Sequence, residues 1–230
     1  MKTLVTVLLA TLLASCTIPP VSNAEKRSAI AVPAGTQSNP LQLSKVLTRI
    51  PVGETIAKMQ YGWGCMPGMV LGWPGGRLAV SDQSFSETFK RELEQLRYAV
   101  VGDPDSVFES AIRSPAQLQV GATISKVEAN LCFPFSGSPN LSVGNTDSVK
   151  GAVFMRIAWE LYSPAQAKVI FKSTTDGAFQ TDQTIVGGLP AIFLKAFAAN
   201  INNLAADPEF HRLVITPPSP PMIPPSGART

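Results

Sequence analysis

Three cysteines, a single histidine and two neighbouring tryptophans are the residues of this 230-residue chain whose types and spacing could do chemistry. Cys16 directly follows an apolar run and two small residues, which sets it apart from Cys65 and Cys132. If Cys16 is modified, the other two form an even pair, and in an exported chain an even pair reads as a disulfide. A bridge closing so long a loop contributes about 4 kcal/mol in the chain-entropy model. Two free thiols or a metal pair are the alternatives. A metal is disfavoured because neither cysteine has a CxxC partner and His211 is the only histidine. His211 lies in Pro208-Glu209-Phe210-His211-Arg212, beside a helix end, and reads as a surface or capping residue rather than an acid–base group. Trp63 and Trp73 lie within a glycine-rich stretch, Gly62 to Gly76, which contains neither GxxxxGK[ST] nor a GxGxxG opening a helix, so a phosphate loop is excluded. The two indoles are candidate ligand contacts for sugar faces, or else cap a core. Asp103 and Asp105 sit in a Gly-Asp-Pro-Asp turn without the further ligands of a calcium loop. No serine has a G-x-S-x-G setting. The expectation is a non-enzyme with no catalytic residues, no metal and no cofactor.

The chemistry at Cys16 depends on what precedes it. Lys2 supplies a charged start, Leu4 to Leu13 an apolar segment too short to span a bilayer, and Ala14-Ser15 the small residues of a cleavage site. The run Leu13-Ala14-Ser15-Cys16 resembles the lipobox of bacterial lipoproteins. That resemblance implies cleavage before Cys16, which becomes the mature N-terminus and carries a thioether-linked diacylglycerol, usually with a further N-acyl chain. Each buried methylene contributes about 0.8 kcal/mol, and two or more chains make a stable anchor. Thr17 follows the cysteine, where enterobacterial lipoproteins held in the inner membrane carry Asp. The resemblance therefore points to the outer membrane, facing the periplasm.

Bulk properties agree with a globular envelope domain. Charged residues make up 15% and hydrophobic ones 45%. The net charge of +3 falls to +2 once Lys2 leaves with the signal, so there is no electrostatic case for nucleic acid. The expected organisation is a signal peptide over 1–15, a lipidated flexible tether over 16–45, one domain over 46–215 and a proline-rich tail over 216–230.

Within the domain, period-two alternation predicts a strand over Thr55–Tyr61. Ser84-Phe85-Ser86-Glu87 is a capping-box pattern, followed by Phe89, Leu93 and Leu96 at helical spacing, with Glu87 and Arg91 an i,i+4 pair. Tyr98 to Val101 reads as a short strand. Leu118, Val120, Ala122 and Ile124 alternate, then the phase slips to Val127, Ala129 and Leu131, which predicts a bulge near Ser125-Lys126 in a strand closed by Cys132. Phe133 to Val149 reads as a surface loop. Val153, Met155, Ile157, Trp159 and Leu161 form one face of a long strand that turns at Ser163-Pro164-Ala165-Gln166 and returns over 167–173. A last helix starts near Leu189, presents Phe193, Phe197, Ile201 and Leu204, and is interrupted at Asp207-Pro208. This order makes an α+β fold, with a single mixed or mainly antiparallel sheet and two helices packed on one face.

Tyr98-Ala99-Val100-Val101-Gly102-Asp103, Trp159-Glu160-Leu161-Tyr162-Ser163-Pro164 and Ala198-Ala199-Asn200 resemble motifs of the small α/β domain shared by curli-secretion lipoproteins and the N-terminal domain of the TolB family. They also resemble exported bacterial domains that in some cases precede a trypsin-like domain. The resemblance spans roughly residues 50 to 214 and implies a subunit of a secretion apparatus. A secretion pore, however, needs membrane hairpins of about ten alternating residues, which Phe133 to Val149 does not offer. The functional expectation is a lipid-anchored adaptor or accessory component. Its partners are the membrane, through the anchor, and periplasmic or outer-membrane proteins; peptidoglycan is the alternative ligand.

Overall fold

The computed structural model describes residues 21–102, 116–134 and 147–215. Cys16, Asp103, Asp105 and the proline-rich tail lie outside them, as does the middle of the loop between Phe133 and Val149.

Six strands form one mixed sheet: β1 (Leu41–Thr48), β2 (Thr55–Tyr61), β3 (Met66–Gly72), β4 (Leu118–Phe133), β5 (Ser148–Ser163) and β6 (Lys168–Val186). The path across it is β3-β2-β4-β5-β6. β4 shares one edge between two parallel partners, β1 along Leu118–Ile124 and β2 along Ala129–Phe133, while its other edge pairs antiparallel with β5. The register slips between Ile124 and Lys126, where the change of phase in the sequence places it. A one-residue bulge there returns Val127, Ala129 and Leu131 to the buried face.

The helices are α1 (Asp82–Gln95), α2 (Gly188–Ala205) and α3 (Pro208–Ile215). Phe85 and Phe89 of α1, Phe197 of α2 and Trp159 of β5 meet in one aromatic cluster, with ring centroids 4.7–6.5 Å apart, so α1 and α2 cover the same face of the sheet. Trp159 is fully buried, and its Nε1–H needs a partner there. It donates to Thr175 Oγ1 (2.7 Å), which donates to Asn200 Oδ1 (2.7 Å), and the Asn200 amide reaches the carbonyls of Met155 and Ala196. Asn200 thus stitches α2 to two strands. Gly177 allows this close approach. A Cβ on it would lie 2.3 Å from Asn200 Nδ2 and 2.6 Å from the Ala196 carbonyl oxygen.

Five expectations need correction. Of the tether expected over 16–45, residues 21 to 45 are not free: they lie on the domain. Ser22 N–H donates to Glu128, Arg27 N–H to Asn203, Ile30 N–H to the Ala205 carbonyl, Val32 N–H to that of Leu96, and Asn39 N–H to that of Val214. With Val32 buried and β1 starting at Leu41, order begins well before Val46. The cap of α1 is Ser81, whose Oγ accepts from Ser84 N–H (3.0 Å), one turn earlier than the S-x-x-E pattern suggests. Arg91 turns to Glu92 at 3.1 Å rather than to Glu87, and Gln83 takes up Glu87. Tyr98 to Val101 makes only an isolated bridge, Leu41 with Val100. Finally, β6 runs to Val186, far beyond Ser173.

Candidate functional site: a disulfide-pinned apolar hairpin

The glycine-rich stretch holds a strand. β3 folds back on β2 as a hairpin, with Tyr61 opposite Met66 and Lys58 opposite Val70. Cys65 sits in the turn, with a left-handed φ of 49°, and is bonded to Cys132 on the last turn of β4, their Cα atoms 5.4 Å apart. The bridge ties the tip of the hairpin to the strand that carries it. Beside it the Tyr61 ring stacks on Phe133 and lies over Gly68, where a Cβ would come within 2.4 Å of the ring. The hairpin therefore has a fixed inner side.

Its β3 edge is bare on both faces, since Met66 pairs with Tyr61 and Val70 with Lys58, which point to opposite sides of β2. Seven large apolar residues are well exposed among the described residues, and five of them, Val52, Trp63, Met66, Met69 and Val70, belong to the hairpin or its flanks. Apolar surface concentrated this way marks an interaction site. Trp63 is 83% exposed at the turn, whereas Trp73 is 5% exposed at the opposite end, where its N–H donates to the Glu54 carbonyl. The two indoles do not share a face. Trp73 is a core cap, and a two-tryptophan sugar platform does not form.

The strap of residues 21–40 leads to this hairpin. Glu25 and Arg27 lie at β6, where Asn203 Nδ2 donates to the carbonyls of Glu25 and Asp176. Ser22 reaches Glu128 on β4 (2.8 Å), and Val21 lines a cleft of about 270 Å³ together with Thr55, Ala57 and Lys58 of β2. Partial burial acts to raise the Glu128 carboxyl, but the Lys126 ammonium (2.5 Å) and the Ser22 N–H together hold it down at about 2. Lys126 and Ser22 thus favour the ionised form that anchors the strap.

Two other polar clusters lie away from the hairpin. A cleft of about 310 Å³ is lined by Glu25, Arg27, Thr174 and Asn203, together with a bidentate pair in which Arg156 donates to both oxygens of Asp176 (2.6 and 2.8 Å). Its two strongest charges neutralise each other. His211 is half-buried. Its Nδ1 lies 2.7 Å from the Tyr98 hydroxyl, which also bonds the Ile30 carbonyl (2.9 Å). That carbonyl can only accept, so the hydroxyl donates to it and His211 Nδ1 carries the proton donated to Tyr98. Burial pushes the Tyr98 hydroxyl well above its ordinary pKa. The pair locks the strap to α3. No group of three or more potential metal ligands is placed together among the described residues.

No protein-family model matches the chain, and no curated protein matches it. Solved structures similar to it include protein XCC0632 of Xanthomonas campestris, of family DUF330, at 12% identity over 80% of this chain and 92% of that one (TM-score 0.38). The PelC dodecamer of Paraburkholderia phytofirmans is 10% identical over 80% and 98% (TM-score 0.33). A candidate lipoprotein of Caulobacter crescentus is 14% identical over 70% and 86% (TM-score 0.22). At these scores the likenesses carry no argument, and the α+β assignment stands on the sheet topology itself.

Proposed function

We propose that this chain is a lipid-anchored bacterial envelope protein, on the outer membrane facing the periplasm, whose α+β domain is a non-catalytic adaptor or accessory component of an envelope assembly. The observation that carries this reading is Leu13-Ala14-Ser15-Cys16 behind a short apolar run. The strap supports it, because it delivers the chain from the domain towards Cys16 along the surface. No described helix is long and apolar enough to cross a membrane. The secretion-subunit reading rests on motif resemblance alone. The peptidoglycan reading loses the paired tryptophans on which it was built.

Intact mass and membrane fractionation of the native protein beside Cys16→Ala test the proposal. A mature mass starting at Cys16 plus acyl chains, with membrane association lost in the variant, is the expected result. A soluble, unacylated product cut elsewhere would overturn it.

A further inference from the structure

We infer that the β2–β3 hairpin is a second membrane contact, seated on the headgroup region of the bilayer that holds the anchor. This rests on the anchor reading above and adds an orientation to it. Two independent observations converge. The first is the path of the strap, which runs from Glu25, held by Asn203 beside β6, to Ser22 on β4, and then to Val21 at a cleft lined by β2. Cys16 is five positions before Val21, a reach of at most about 18 Å. β3 lies one strand beyond β2, about 4.8 Å further in the same direction. An anchor at Cys16 therefore holds this side of the domain near the lipid. The second observation is the hairpin edge itself, where Trp63 at the turn, Met66 and Met69 are exposed and Val70 is exposed opposite the exposed Lys58. An indole at a turn with methionine and valine beside it suits the interface between water and acyl chains, and the lysine suits lipid phosphates.

A strand-adding protein is the rival occupant, and the edge is poorly made for one. Pro67 has no N–H to donate, and two register shifts interrupt the β2–β3 ladder. At the headgroup level water and lipid polar groups meet the remaining backbone groups, so no continuous ladder is needed.

Trp63 makes the test selective, because Trp73 and Trp159 are buried. The mature lipidated protein is reconstituted in vesicles of phosphatidylethanolamine and phosphatidylglycerol, with or without acyl chains brominated near the headgroup. The Trp63 emission, obtained by subtracting the Trp63→Phe variant, is expected to fall about twofold on brominated lipid and to be shielded from iodide. Flotation with the vesicles while Trp63 stays open to iodide and indifferent to bromine would overturn this inference and leave the anchor standing. Shielding from iodide without bromine quenching would also overturn it, by showing that protein covers the hairpin. Failure of the protein to float would remove both readings. Trp63 is a surface residue, so Trp63→Phe keeps the fold, which unchanged near-ultraviolet dichroism of the buried indoles checks.

Discussion

The path across the sheet ends on β3 at one side and on β6 at the other, and the chain treats these two edges in opposite ways. Both expose a row of backbone donors and acceptors, the usual liability of an edge strand. On β6 that row is guarded. Lys168, Lys172, Asp176, Gln180, Asp182 and Gln183 populate the strand, Lys172 pairs with Glu160 at 2.6 Å, and Asn203 takes the Asp176 carbonyl where the strap crosses. On β3 the guards are Pro67 and two register shifts, and the side chains presented are Met66, Met69 and Val70. One edge is sealed with charge and cover and the other is left apolar and pinned, and it is the second that the proposed membrane contact uses. The disulfide fits this division, since it fixes the edge that lacks a covering layer.

The largest expected effect comes from unpinning β3. Replacing Cys65 and Cys132 together by alanine should cost about 4 kcal/mol of unfolding free energy in the chain-entropy model, read as a lower urea midpoint. The comparison predicts more than a global loss: amide exchange should rise in residues 62–72 and stay unchanged in β6. Equal loosening of both edges would break the distinction.

At the β6 edge, Gly177→Ala should cost about 3 kcal/mol, because the added Cβ meets Asn200 and the Ala196 carbonyl and forces α2 off the strand. Thermal denaturation measures it. An unchanged midpoint would mean that α2 does not hold this edge as tightly as the contacts imply.

A smaller effect concerns the strap that joins the two edges. The Glu128 carboxyl is held at about 2, below its ordinary 4.5. Its contribution is therefore complete above pH 4.5 and is lost as pH falls towards 2. Exchange of the Ser22 amide should accelerate over that window, and in Glu128→Gln it should be fast at neutral pH as well. A Ser22 amide whose protection ignores pH between 5 and 2 would show that Glu128 does not hold the strap.

The parts legible in the sequence are those with a strong period. β2 occupies Thr55–Tyr61 as its alternation indicates, the bulge in β4 falls at the phase slip, and the β5–β6 turn lies at Ser163 to Ala167. These strands bury one face against α1 and α2, so the burial writes itself into the residue pattern. β3 was hidden because Met-Pro-Gly-Met-Val-Leu-Gly buries neither face and has no period to read. The second half of β6 was hidden for the same reason, since an edge strand extending past the helices gains nothing from alternation. The strap looked like a linker because its order comes from backbone hydrogen bonds and a few buried residues such as Val32. Two overlapping serine patterns, Ser81 with Ser84 and Ser84 with Glu87, blurred the start of α1. Of the candidate site, the Cys65–Cys132 bond follows from counting cysteines. Which tryptophan faces solvent depends on the hairpin, which the sequence does not announce.

Hydrogen exchange on the lipidated protein, bound to vesicles and in detergent-free solution as the Cys16→Ala variant, tests the contrast between the edges most directly. The account predicts that residues 63–72 of the hairpin gain protection on the vesicle while β6 exchanges at the same rate in both states. Protection gained at β6 instead, or at neither edge, would contradict it.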